Sequence, residues 1–252
     1  VCSSDLVSMT IVSHDAPDEA TAAQLVSTTQ VFWQVGVFIS FICAFLVSAM
    51  QGATGGRVVF AILAVFAVIA WLWRLLSPTF RRFHEAADVR DAARPAVVGN
   101  GKVSVTKVLF GADKKVLLTY FLAIVIFYVG WNLLANTWGQ FQTYMFSKAG
   151  AAQSLATGLG IILNFVTLVL NIVFASIAGG KYRNKAFFAG IVISLIAMAA
   201  MAMGGANLWV IVGATAFMNL GSPLAGEALY KVWTQESFPI EIRASIQGFI
   251  NG

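Results

Sequence analysis

Apolar residues run along this chain in six long stretches, which polar or glycine-rich segments separate. A helix needs about 20 apolar residues to cross a bilayer core about 30 Å thick, and each stretch has about that length. The sequence lacks the alternating strands of about ten residues that a membrane β-barrel requires. The pattern therefore predicts an all-α integral membrane protein. Its six predicted spans are 31–50, 57–76, 116–137, 153–178, 186–204 and 208–232.

The composition supports this class. Of the 252 residues, 59% are hydrophobic and 11% are charged, whereas soluble domains carry about 25% charged residues. The cysteines, Cys2 and Cys43, and the histidines, His14 and His84, have no spacing typical of a disulfide framework or a metal site. We therefore expect no disulfide, no metal ion and no cofactor.

Positive charge lies mainly on one side of the predicted spans. The segments 77–115 and 179–185 are rich in lysine and arginine, whereas the turns on the opposite side contain only Lys148. By the positive-inside rule, the two basic segments are cytoplasmic. Binding of nucleic acid or acidic lipid is the alternative explanation, but membrane topology accounts for the net charge of +5 without either. We expect the lipid bilayer as a partner and no nucleic acid.

Residues 1–14 form a predicted tail ahead of the first span. We interpret residues 1–6, VCSSDL, as a translated cloning or sequencing scar, with ordinary N-terminal sequence as the alternative. A charged segment followed by an apolar stretch, which would indicate a signal peptide, does not occur there.

Two of the spans carry amide side chains on one helix face. Gln30 and Gln34 are four residues apart at the start of the first span, and Asn132 and Asn136 repeat that spacing in the third, beside Trp131. Residues at i and i+4 share a face, and an amide supplies both donors and an acceptor. These faces predict contacts to a ligand with several hydroxyl groups. The alternatives are polarity at headgroup level for the glutamines and interhelical hydrogen bonds for the asparagines.

The fourth span repeats the polar pattern. Asn164 and Asn171 are two helical turns apart and share a face. Asn164 therefore joins the predicted ligand contacts, whereas the hydroxyl of Thr167 has its own helix backbone as an alternative partner.

An acid and a base lie in the sixth span. Glu227 and Lys231 are four residues apart, and therefore on one helix face. Charged groups within a bilayer are costly, at about 2.5–3.5 kcal/mol each on insertion scales, and pairing offsets part of that cost. The pair is a candidate gate or coupling element, with a pin for helix packing as the alternative. Gly221 and Pro223, just before it, should loosen the helix.

The chain contains no phosphate-binding loop, no Gly-x-Ser-x-Gly and no His-Glu-x-x-His sequence. No residue is therefore a catalytic candidate. A membrane-embedded enzyme is the weakest of the functional alternatives.

Several segments together resemble the sugar porter branch of the major facilitator superfamily. The most specific is Glu236-Ser237-Phe238-Pro239 with Arg243, which is similar to the Glu-x-Phe-Pro-x-x-x-Arg element after helix ten of that family. The resemblance implies a twelve-helix fold in two halves, of which this chain holds helices five to ten and the start of helix eleven. It also implies that Glu236 and Arg243 form a cytoplasmic gating motif. A chain truncated at both ends is therefore expected.

The resemblance extends to the polar faces. Gln30 before Gly36 is similar to the glutamine of helix five that contacts sugar hydroxyls, Gly130-Trp131-Asn132 to the Gly-x-Asn of helix seven, and Asn164 to the asparagine of helix eight. It implies domain limits as well. Residues 15–76 end the N-terminal half, 77–115 form the central cytoplasmic loop, and 116–252 begin the C-terminal half.

Some positions depart from the family pattern. Ile126 and Phe127 replace the paired glutamines expected before Gly130, and Lys231 stands about where a tryptophan is expected. The segment GEALYKVWTQ, which contains Lys231, and the segment ANTWGQFQTY resemble bacterial inositol and polyol porters more than hexose porters.

The hypothesis from the sequence is a transporter of the bacterial cytoplasmic membrane that moves a sugar or cyclic polyol by alternating access. A proton is a candidate coupling ion, although the family's coupling residues lie in its first four helices. A membrane sensor or binding protein that does not transport is the main alternative.

Overall fold

The structure, a computed structural model, describes residues 18–47, 53–78, 105–111, 114–204 and 207–251, together with positions 16, 50, 82 and 85. The regular structure in these residues is helical. Six segments of the described chain are helical, long and apolar enough to cross a membrane. The predicted class, an all-α membrane protein with six spans, is confirmed.

We number the helices in chain order. They are α1 Glu19–Leu46, α2 Ala53–Leu76, α3 Val105–Leu109, α4 Lys114–Lys148, α5 Gln153–Ile177, α6 Arg183–Gly204, α7 Leu208–Ala225, α8 Glu227–Ser237 and α9 Ile240–Asn251.

The chain divides into two compact units, of which residues 46–102 form the smaller one. Its helix α2 exposes apolar side chains along its length, including Phe60 and Trp73. The sequence also predicts a glycine-rich turn at 51–56, but α2 already begins at Ala53, so residues 53–56 are helical. The predicted loop at 77–115 lies largely outside the described residues. The domain limits implied by the resemblance therefore stay a prediction.

The larger unit begins with α1, which starts three turns before the first apolar stretch. The backbone N–H of Thr21 donates to Asp18 Oδ1 at 2.7 Å, and its hydroxyl donates to Asp18 Oδ2 at 2.9 Å. This is an N-cap, which satisfies one of the unpaired donors at a helix start. The two bonds hold the pKa of the Asp18 carboxyl below its ordinary value. The cap explains why the helix already begins in the polar segment that precedes the apolar stretch.

Helix α1 is held in the larger unit by a small apolar core. Ala23 and Val26 pack with Phe174 of α5 and with Leu229 and Val232 of α8, and all five are buried. Burial of such side chains contributes roughly 25 cal/mol per Å² of apolar surface. The contact fixes the rotation of α1, and with it the direction of its glutamines.

The sixth span is a broken helix. Helix α7 continues through Pro223 and ends at Ala225, and Gly226, at φ −111° and ψ −140°, separates it from α8. A proline cannot donate to the carbonyl four residues earlier, which here belongs to Asn219. The Thr167 hydroxyl lies 3.2 Å from that carbonyl. The break thus lies after the predicted loosening at Gly221 and Pro223, with α5 supplying a polar partner.

Small residues bring α6 and α7 into close contact. A side chain at Gly221 would meet Ser194 Oγ and the carbonyl of Gly190 across the interface. Small residues allow membrane helices to approach closely. The fifth predicted span thus packs closely against the sixth.

The last two helices, α8 and α9, share a second buried apolar core. Tyr230 of α8 and Phe238, Ile242 and Ile246 at and after the end of α8 are buried together. The Tyr230 hydroxyl donates to Asn251 Oδ1 at 2.6 Å. This core places the acidic end of α8 and the start of α9 next to each other.

Candidate functional site

A cavity of about 280 Å³ lies between α1, α4, α5 and α7. Its apolar wall consists of Val37, Phe41, Trp131, Ala135, Trp138, Gly139 and Met218, and its polar wall of Gln34, Gln142, Asn164, Thr167, Asn219 and Ser222. Ligand pockets typically combine apolar walls with a few placed polar groups. We call this the amide cavity.

One side of the amide cavity is a buried pair of amides. The Gln34 side-chain amide on α1 donates to Asn164 Oδ1 on α5 at 2.8 Å, and Asn164 donates in turn to the carbonyl of Gly160 at 2.8 Å. Both side chains are more than nine-tenths buried. The pair joins α1 to α5, and it brings together two residues that lie 130 positions apart in the sequence.

A second polar pair lies where α5 meets α7. The Thr167 hydroxyl lies 2.8 Å from Asn219 Oδ1, and the Asn219 amide donates to the carbonyl of Thr215 at 2.8 Å. Thr167 also lies 3.0 Å from the carbonyl of Leu163 on its own helix. It therefore uses both its own backbone and the neighbouring helix.

The acid and base of the sixth span form a network with α1. Lys231 Nζ lies 3.1 Å from Glu227 Oε1 and 3.1 Å from Gln30 Oε1, and the Gln30 amide donates to Glu227 Oε2 at 3.4 Å. The Lys231 side chain is 1% exposed and that of Glu227 is 27% exposed. The two charges thus neutralise each other, and the Gln30 side chain hydrogen-bonds to both Glu227 and Lys231. We call these three residues the ionic network.

Trp131 lies between the cavity and the helix break. It lines the amide cavity, and a side chain at Gly226 would collide with its ring. Only a glycine leaves room for the indole at that point. The glycine at the break therefore makes room for the Trp131 ring.

The other predicted residues on α4 lie beside the cavity. The Asn136 amide donates to Asn132 Oδ1, Asn132 is partly buried, and Asn136 is exposed. Neither side chain is part of the wall of the amide cavity. Their predicted contacts with a ligand stay a prediction.

The predicted gating motif lies at the end of α8. Glu236 Oε1 pairs with Arg183 of α6 at 2.6 Å, and Arg243 Nε donates to the carbonyl of Phe238 at 2.6 Å. Glu236 and Arg243 also line a second cavity of about 300 Å³, together with Asp18 and Gln235. The sequence predicts only that Arg183 belongs to the basic segment 179–185, and it does not indicate the ion pair with Glu236.

Two residues of the amide cavity were missed as polar contacts. Trp138 and Gln142 continue the spacing from Trp131 and Ala135 along one face of α4. Among the described residues, neither the Trp138 indole N–H nor the Gln142 side-chain amide has a hydrogen-bond acceptor. Both residues lie beyond residue 137, where the predicted third span ends, so the sequence does not indicate them as contacts within a span.

The chain is similar to the minor myo-inositol transporter IolF of Bacillus subtilis (strain 168), with 26% identity over 256 residues. This similarity confirms the resemblance to sugar porters. The alignment covers 96% of the chain and 54% of the transporter, so the chain spans about half the length of this curated relative. The six apolar helices fit a fragment of the major facilitator fold. No protein-family profile matches the chain, and no solved structure matches it.

The similarity bears on the class of the protein as well. A multi-pass membrane protein is indicated both by the relative and by the helices. That the relative is a transporter is indirect support for the interpretation that the chain is not an enzyme. Within the described residues, no three His, Cys, Asp or Glu side chains are grouped as a metal site would require.

Proposed function

We propose that this chain forms part of a transporter that moves a sugar or cyclic polyol, such as an inositol, across a bacterial cytoplasmic membrane. The observation that carries the proposal is the similarity to a myo-inositol transporter over 96% of the chain. The amide cavity adds a chemically suitable place for the substrate.

The chemistry of the cavity suits an uncharged ring with many hydroxyls. Gln34 and Asn164 present amide groups that both donate and accept hydrogen bonds, as hydroxyl groups do. Trp131 supplies a flat apolar surface for the carbon face of the ring. Asn132 and Asn136 are further proposed contacts, which have to exchange their mutual hydrogen bond for the substrate.

We propose that the ionic network acts as a latch in alternating access. It joins α1 to α8, which by the family resemblance belong to opposite halves of the transporter. When one side opens, the halves move apart around the bound substrate. Separation of α1 from α8 would break the Gln30 contacts while leaving Glu227 and Lys231 paired within one helix. Gln30 is therefore a latch contact while α1 and α8 are in contact, as in this structure, and it becomes a substrate contact once the two helices separate.

A second proposed latch is the pair of Glu236 and Arg183. It joins the ends of α8 and α6 near the basic segments that the positive-inside rule places in the cytoplasm. Both side chains are partly exposed, at 21% for Arg183 and 32% for Glu236, so the pair is expected to be weak and reversible. Reversibility is what a cytoplasmic gate needs.

Uptake tests the proposal. The gene that encodes this chain is expressed in a bacterium without its own inositol uptake, and the accumulation of labelled myo-inositol, xylose and glucose is measured. We expect myo-inositol or a related polyol to accumulate chemically unchanged. Binding without accumulation would favour a sensor, and chemical conversion of the label would favour an enzyme. A protonophore then separates proton symport, which it abolishes, from facilitated diffusion, which it leaves intact.

A further inference from the structure

The amide cavity has one wall whose hydrogen-bond donors are unused. The Trp138 indole N–H and the Gln142 side-chain amide lie four residues apart on α4, and both nitrogen atoms are buried. Neither has an acceptor among the described residues. Gln142 is 7% exposed as a whole residue. A buried donor without a partner costs free energy, and native proteins rarely leave one.

The opposite wall is different. Gln34 donates to Asn164, and the hydroxyl of Thr167 is within hydrogen-bonding distance of Asn219. These side chains of α1, α5 and α7 thus have protein partners, whereas within the described residues the two donors of α4 do not. Among the described residues, the buried unpaired donors in the cavity wall therefore lie on one helix.

We propose that Trp138 and Gln142 donate hydrogen bonds to hydroxyl oxygens of a polyol bound in the amide cavity, and that they set its orientation. This inference rests on the proposed function. An indole N–H only donates, and the unpaired atom of Gln142 is its donor nitrogen. The part of the ligand that faces α4 must therefore carry lone pairs. Hydroxyl oxygens meet this requirement, whereas an ammonium group does not.

Little movement is needed for these contacts. Gln142 already lines the cavity from its position on α4. The Trp138 ring already lies in the wall, between Ala135 and Gln142 on the same face. In this arrangement, Trp131 and Trp138 contact the ring of the ligand. Trp138 and Gln142 also donate hydrogen bonds to particular hydroxyl groups, and thereby select ligands by the positions of those groups.

The test measures binding of tritiated myo-inositol to the whole chain in lipid nanodiscs. Trp138→Phe removes the indole N–H but keeps an aromatic ring, and Gln142→Met removes the amide but keeps the length of the side chain. We expect each change to weaken binding about three- to tenfold, as the loss of one hydrogen bond does. Trp209→Phe and Gln140→Met are the matched controls, because both residues are exposed and lie outside the cavity wall. The controls should bind as the parent chain does.

Two further readouts separate ligand contact from a structural role. Because the donors are unpaired without ligand, their removal should leave the melting temperature of the ligand-free chain unchanged or higher. Each variant should also lose discrimination between myo-inositol and one monodeoxy-inositol, the analogue that lacks the hydroxyl it contacts.

The outcomes distinguish the inference from the proposed function. If the parent chain binds none of the polyols, the proposed function fails and this inference fails with it. If the parent binds and both variants bind equally well, the donors are not ligand contacts and only this inference is overturned. A lower melting temperature with unchanged discrimination would show a packing role, which also overturns it.

Discussion

Gln30 and Gln34 are one turn apart on the same face of α1, yet their surroundings differ. Gln30 belongs to the ionic network, where its oxygen lies 3.1 Å from Lys231 Nζ and its amide donates to Glu227. Gln34 donates one hydrogen bond to Asn164 and faces the amide cavity. One glutamine is occupied by charged neighbours on α8, and the other borders an open volume.

The difference shows how a membrane protein uses the same side chain in two ways. In the ionic network, pairing offsets the cost of burying charge, so its groups hold helices together. Around the amide cavity, the Trp138 and Gln142 donors of α4 have no partner in the part of the chain that the structure describes. A region whose polar groups are paired is suited to a latch, whereas a region with unused donors is suited to a ligand.

The largest effect is expected from Lys231→Met. It leaves Glu227 and Gln30 without their shared cation, and we expect the free energy of unfolding to fall by about 2–3 kcal/mol. This is less than for a fully buried pair, because the Glu227 side chain is 27% exposed. Thermal unfolding in nanodiscs, monitored by the α-helical circular dichroism signal, measures the change.

The double variant Glu227→Leu with Lys231→Met is the control for this prediction. It removes both charges together, so most of the lost stability should return. If transport by the double variant then equals that of the parent, the network only pins the helices. A transport defect that persists at restored stability would support the latch.

A smaller effect is expected from Gln34→Leu. It removes the bond to Asn164 and leaves Asn164 Oδ1 unpaired, so stability should fall by about 1 kcal/mol. Binding of myo-inositol should weaken by about tenfold, because one amide of the wall is lost. Gln30→Leu provides the contrast in the same assay. We expect it to weaken the latch more than the binding, and equal binding defects in the two variants would erase the distinction between the two regions.

The smallest effect is expected at the start of α1. Asp18→Ala removes the N-cap, so the amides of the first turn of α1 should exchange with deuterium several-fold faster. Asp18→Asn keeps an acceptor oxygen and should exchange as the parent does. Both regions of α1 lie three or more turns further along the helix, so binding and the ionic network should not change. A binding defect in Asp18→Ala would show that the two regions depend on the register of the whole helix.

Acid should have the same local effect as Asp18→Ala. The pKa of Asp18 is lowered in the folded chain by its hydrogen bonds to Thr21. The stabilising contribution is therefore complete above about pH 3.9, the ordinary value of an aspartate, and is lost as the pH falls through the lower folded pKa. The Asp18→Ala variant should lack this part of the pH dependence.

Several features of the site could be predicted from the sequence because helical spacing is local. The four-residue spacing of Glu227 and Lys231 predicted a pair on one face, and the structure shows the ion pair. Gln34 and Asn164 were each predicted as polar positions within spans, but the bond between them joins two helices. Gln142 was missed because hydropathy alone does not show that α4 continues to Lys148.

The sequence alone was enough to predict the six spans, the helical class and the family resemblance. Length and hydropathy decide whether a segment crosses a bilayer, because unpaired backbone groups are too costly there. Tertiary structure decided which amides meet, that Gly226 rather than Pro223 separates the two helices of the sixth span, and that Trp131 covers this break. These features depend on helix rotation and close approach, which are set by packing against neighbouring helices. A pattern along one chain does not contain that information.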